Sequence, residues 1–132
     1  MLVALLAAAG LVIVAATVIL TATSYGQLPG RVPLHFGLDG TVNTWGPRPA
    51  VWLVPLVQLT IAAADAFVFT TVTDAARGLL IADFILALLW RAQVLIISTG
   101  VSGKDRADLR GFLLFFLFTL AAVLLVIFFT RP

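Results

Sequence analysis

From Leu2 to Tyr25 the chain carries no charged residue. Wound as a helix at about 1.5 Å per residue, that run extends about 36 Å, more than the roughly 30 Å hydrocarbon core of a bilayer. Three further apolar runs follow, about Val51–Val72, Ala75–Thr99 and Gly111–Thr130. A chain of 132 residues, 62% apolar and 11% charged, cannot cover four such runs with a soluble surface, since soluble domains carry about 25% charged residues. A soluble enzyme is therefore excluded. Disorder is excluded too, because it needs low hydrophobicity and high charge. The expected fold is an all-α integral membrane protein: one domain over 1–132, with a four-transmembrane-helix bundle. The helices are expected at about 2–25, 51–72, 75–99 and 111–130, with a long loop at 26–50.

The first run reads as a retained helix. A signal peptide carries a basic leader and a shorter apolar core of about 7–15 residues. Ala8, Ala15 and Ala22 fall seven apart on one face. Ala62, Ala63, Ala64 and Ala66 form a small-residue patch on the second helix. Small residues allow helices to approach closely, so these two patches are expected to meet. Pro55 falls in the first turns of its span, where a missing N–H is tolerated. Asp74 is placed to cap the third helix. The phenylalanines of the fourth run point around much of that helix, as suits a lipid-facing span.

The net charge is +2, with no cysteine and one histidine. Disulfides and thiolate metal sites are thereby excluded. The basic residues sit in short connectors, where they act as topology determinants and headgroup contacts, not as a nucleic-acid surface. Arg31, Arg48, Lys104, Arg106 and Arg110 fall on one side, and Arg77, Arg131 and the terminal amine on the other. This count places both termini outside and the long loop in the cytoplasm.

Within the loop, Arg31–Phe36 and Thr41–Trp45 read as extended runs around Gly37-Leu38-Asp39-Gly40, whose Asp-Gly pair signals a turn. The expected element is a short β-hairpin at headgroup level, with Phe36, Trp45 and Trp52 as interfacial anchors. A lone hairpin is marginal in water, so it must lean on the helix ends. In these residues the chain resembles the N-terminal membrane domain of SdpI-type bacterial proteins. Leu28-Pro29, Val32-Pro33-Leu34-His35-Phe36, Asp39-Gly40, Asn43, Trp45 and Gly46 follow its pattern of Leu-Pro, Pro-x-His-Phe, a Gly turn, a polar residue, Trp and a basic residue. Arg48 fills the basic position, where family members usually carry Lys. The resemblance implies the fold of the first two helices and their loop, in a bacterial inner membrane. The family's best-known member is an immunity protein that protects its producer from a secreted peptide toxin and takes part in signalling. Pro33, His35, Phe36, Asp39, Gly40, Trp45 and Arg48 form the expected partner-binding or loop-structuring set.

His35 has three readings: a structural residue bonded to loop carbonyls or Asp39, a partner contact, or a metal ligand. One histidine and one nearby aspartate are too few for a closed metal site. No serine or cysteine stands beside it in a nucleophile motif, so hydrolase chemistry has no support.

Asp65, Asp83 and Arg91 interrupt the apolar spans. A charge at membrane depth costs roughly 2.5–3.5 kcal/mol on insertion scales, so it usually pairs or lines a polar cavity. Counted from Leu79, Arg91 lies about 18 Å deep, and Asp65 about 10 Å from Val72. Side chains lean toward helix N-termini, which brings Arg91 and Asp65 together across antiparallel helices. The expected intramembrane polar network is this pair, with Asp83 as a further acceptor and Gln58 extending it. It reads as a register-setting ion pair, an ion or proton path, or a polar lining for a partner or cofactor.

The expected function is a non-enzymatic membrane interaction protein. It would be an SdpI-like immunity or sensor module, or an accessory subunit of a larger complex, binding through the 26–50 loop and exposed helices. The alternative is a small transporter or proton-conducting bundle using Asp65, Asp83 and Arg91. The expected partners are the lipid bilayer and a membrane complex or peptide. No cofactor, metal or nucleic acid is expected, and the oligomeric state is left open.

Overall fold

Each apolar run forms a helix. The computed structural model describes residues 1–71 and 75–129. Helix α1 spans Leu2–Ser24, α2 Leu53–Thr71, α3 Ala75–Ser102 and α4 Arg110–Phe129. Among the described residues these four helices are long and apolar enough to cross a membrane. The Asp74 cap, Arg131 and the expected helix ends at Val72 and Thr130 lie outside the described residues. Between α1 and α2 an antiparallel hairpin pairs β1 (Arg31–Phe36) with β2 (Val42–Pro47). Short 3-10 turns at Tyr25–Gln27 and Arg48–Trp52 lead into and out of this region.

Helix lengths locate the hairpin. The 19 residues of α2 and 20 of α4 extend about 29 and 30 Å, matching a hydrocarbon core of about 30 Å. The 28 residues of α3 extend about 42 Å, some 12 Å too long. The surplus lies at its C-terminal end, where Ile96, Ile97, Thr99 and Gly100 are buried. There Ile96 and Ile97 join Leu28, Val32 and Val51 in the apolar core, with Leu34 and Phe36 packed on it. The last turns of α3 therefore rise from the bundle as a post that carries the hairpin. Phe36, expected as an interfacial anchor, packs on this core instead, because Val32, Leu34 and Phe36 alternate onto one face of β1. Trp45 and Trp52 remain 37% and 36% exposed.

Contacts along the helices show that α1, α2 and α4 all pack on α3. Phe84 of α3 meets Phe116 of α4 with ring centroids 6.1 Å apart. Helix α4 buries only Val123 among its described residues. On α1 the buried positions are Gly10, Val14, Thr17 and Thr21, spaced four, three and four apart along one helical face. The expected alanine stripe Ala8, Ala15 and Ala22 is exposed instead. The threonines can be buried because each hydroxyl donates to the carbonyl four residues back, Thr17 to Ile13 at 2.9 Å and Thr21 to Thr17 at 2.7 Å. Of the α2 patch, Ala62 and Ala66 face α1, across a cavity with Ala7 and Gly10.

Candidate functional site

The hairpin tip is clasped by the α3–α4 connector. Gly37 N–H donates to Thr41 O at 2.8 Å, and Gly40 N–H to Gly37 O at 2.9 Å. Gly40 takes a φ of +85°, so Leu38 and Asp39 occupy the turn and Gly40 closes it as the left-handed residue of a bulge. The connector then pairs with the tip: Val42 N–H donates to Asp105 O at 2.9 Å, and Ala107 N–H to Gly40 O at 2.8 Å. A Cβ on Gly40 would run into the Ala107 carbonyl oxygen. The tip is thus held by backbone bonds from a segment some sixty residues further along.

Asp39 works inside this clasp. Its carboxylate accepts from Thr41 N–H at 3.0 Å and Thr41 Oγ1 at 2.7 Å, and lies 3.7 Å from Arg106 Nη2. The two Thr41 bonds, side chain first, hold the Asp39 carboxyl below its ordinary value of 3.8, and the Arg106 charge adds to this.

His35 is exposed and sits opposite Thr44, at a register irregularity of the hairpin. Among the described residues its side chain bonds neither a loop carbonyl nor Asp39, whose oxygens are taken by Thr41 and Arg106. The structural reading of His35 is therefore corrected. Its ring borders an apolar groove of about 300 Å³ with Phe36, Leu95, Leu109 and Phe112. Among the described residues no group of three or more His, Cys, Asp or Glu side chains converges to hold a metal ion.

The remaining motif residues brace the hairpin's base. Pro33 is fully buried and faces Trp45 in the ladder. The Arg48 guanidinium stacks 4.9 Å above the Tyr25 ring, a cation–π contact, and the Arg48 backbone N–H donates to Gly30 O at 3.0 Å. Tyr25 in turn meets Trp52 at 6.2 Å. Arg48 thereby ties the end of α1 to the start of α2.

Inside the bundle the expected network separates into parts. Asp65 and Asp83 line one cavity of about 230 Å³ with Gly10, Leu79 and Leu86. One oxygen of Asp83 is buried there without a hydrogen-bond partner, and a Cβ on Gly10 would lie 2.7 Å from the other. Arg91 lines a different cavity, beside the connector and the first turns of α4. The expected Asp65–Arg91 pair is not formed. The depth estimate started α3 at Leu79, whereas α3 begins at Ala75 and overshoots the membrane at its other end. Counted from the shared turn, Asp65 and Asp83 lie about 9 and 12 Å along their helices, and Arg91 about 24 Å. Arg91 is level with the first turn of α4, where its guanidinium faces Gly111.

Gln58 does not join Asp65 either. Its Nε2 donates to Leu86 O at 3.0 Å. The residue that sequence reasoning passed over is Gln93, fully buried, whose Nε2 donates to Thr21 Oγ1 at 2.9 Å and to Val51 O at 2.8 Å. It joins α1, α3 and the turn before α2 at one point. The available signal was Pro55, four residues after Val51: without an N–H it leaves the Val51 carbonyl needing a donor.

Four apolar helices and an extramembrane hairpin held on a projecting helix end define a multi-pass membrane protein by length and composition. Residues 12–59 match the family model described as a domain of unknown function, DUF1648. The match covers much of α1, the hairpin and the first turns of α2, the stretch that holds the Pro-x-His-Phe motif. No curated protein and no solved structure matches the chain.

Proposed function

We propose that the chain is a non-enzymatic membrane interaction module that binds a peptide or membrane-protein partner at its hairpin. The observation that carries this is the contrast within the hairpin. Its base and tip are fixed by Arg48, Pro33 and the connector clasp, while His35, Asn43, Thr44 and Trp45 stand exposed on it. Exposed aromatic and polar groups on a rigid support suit recognition. An SdpI-like immunity or sensor role, or that of an accessory subunit in a bacterial inner membrane, falls within this reading. Affinity purification from native membranes, followed by mass spectrometry, tests it. A specific partner should be captured by the wild type and by the lipid-facing variant Phe118→Ala, and lost from His35→Ala and Trp45→Ala. Equal capture by all four would contradict it.

A second reading rests on Asp65 and Asp83 sharing one cavity. Two carboxylates in an apolar cavity suit proton or cation passage. Arg91 takes no part in it. Proteoliposomes holding a pH-sensitive dye would show proton flux that Asp83→Asn abolishes. An absence of wild-type flux would discard this reading.

A further inference from the structure

A cleft lined by four basic residues opens where α4 begins. Arg91, Lys104, Arg106 and Arg110 border a cavity of about 910 Å³ between the post of α3, the connector and α4, together with Ser98 and Ser102. Two carboxylates, Asp39 and Asp108, also border it, against the four basic residues. Asp39 accepts from Thr41 and faces Arg106, and Asp108 accepts from the Arg110 backbone N–H at 3.0 Å, in the turn that leads into α4. Arg91, Lys104 and Arg110 have no carboxylate partner among the described residues. Arg91 Nη2 lies 2.8 Å from the point where a Cβ would stand on Gly111, so bare backbone admits its guanidinium to the first turn of α4.

The cleft does not stop at polar walls. Leu38, Leu95, Leu109 and Leu113 border both this cavity and the apolar groove beside His35. A cation-lined cleft that continues into an apolar groove, at the level where α4 enters the membrane, matches a molecule with an anionic head and an apolar tail. A free phosphate would use the first half and leave the groove unexplained. We infer that the cleft binds an anionic phospholipid, with its phosphate between Arg91, Lys104 and Arg110 and an acyl chain along Leu95, Leu109 and Leu113. Charge-assisted bonds from guanidinium groups supply the selectivity for the head.

Native mass spectrometry of the full chain in dodecyl maltoside, with equal phosphatidylglycerol and phosphatidylcholine added, tests this. Phosphatidylglycerol adducts should dominate about tenfold, and Arg91→Gln and the exposed Arg110→Gln should each lower them about tenfold, as loss of a charge-assisted bond does. Arg31→Gln, on the same end but outside the cleft, should leave them unchanged, and Arg91→Lys should keep most of them. Equal retention of the two lipids would overturn the assignment, as would an equal loss with Arg31→Gln or no recovery with Arg91→Lys. Complete displacement of phosphatidylglycerol by excess inorganic phosphate would assign the cleft to the free anion instead.

Discussion

The side-chain amide of Gln93 lies 2.8 Å from the Val51 carbonyl oxygen, the oxygen that Pro55 leaves without its helical donor. The same nitrogen donates to Thr21, whose own hydroxyl donates to Thr17. Both amide hydrogens are thus used, and the orientation of the amide follows from the groups around it. Gln93→Leu strands a buried carbonyl and should cost about 1–3 kcal/mol. Gln58→Leu should cost less, because the Leu86 carbonyl it bonds also has its own helical N–H donor. Thermal unfolding in detergent, followed by tryptophan fluorescence, checks the order. Equal losses would argue against the assigned role of Gln93.

Gly40 is constrained twice, by its left-handed backbone and by the Ala107 carbonyl. Gly40→Ala should therefore destabilise by more than the roughly 1–2 kcal/mol that left-handed geometry alone costs an L-residue. Thr41→Val loses only the exposed Oγ1 bond to Asp39, keeping the backbone one, and should cost less. Limited proteolysis of the loop reports both, and comparable cleavage of the two variants would count against the clasp.

The clasp has a pH dependence of known sign. Asp39 is held below 3.8 in the folded chain, so its contribution is complete above that value. It is lost as pH falls through the lowered folded value. The side chain is exposed, so the effect is local. On acidification below 3.8, the Thr41 amide resonance should shift and its hydrogen exchange should quicken, and Asp39→Asn should abolish both responses. A Thr41 response that persists in Asp39→Asn would assign the titration to another group.

Asp65 and Arg91 occupy separate cavities, so Asp65→Leu and Arg91→Leu should add. For independent sites the double variant should match the sum within about 0.3–0.5 kcal/mol. A double variant that recovers much of the single losses would reinstate an ion pair between them.

How much of this was legible beforehand follows from the range of each signal. The four helices are local, written in long apolar runs, and the structure bounds them within a few residues of expectation. The hairpin is local too, in Pro33, Asp39 and Gly40, and its strands fall where the extended runs stand. The clasp was not legible, because Ala107 and Asp105 meet the tip only through the fold and their types carry no pairing signal. Arg91 was misplaced because an apolar run does not reveal which end of a long helix leaves the membrane. The alanine stripe misled because lipid accepts alanine as readily as a helix interface does. The buried threonines hide their polarity in their own helix.

The proposed function places recognition on the exposed face of the hairpin. Site-specific photocrosslinking in living cells tests it most directly, with benzoylphenylalanine at His35, Trp45 or Phe118. One discrete protein or peptide adduct is expected from positions 35 and 45 and none from position 118. Adducts from position 118 alone, or no adduct from either hairpin position, would contradict it.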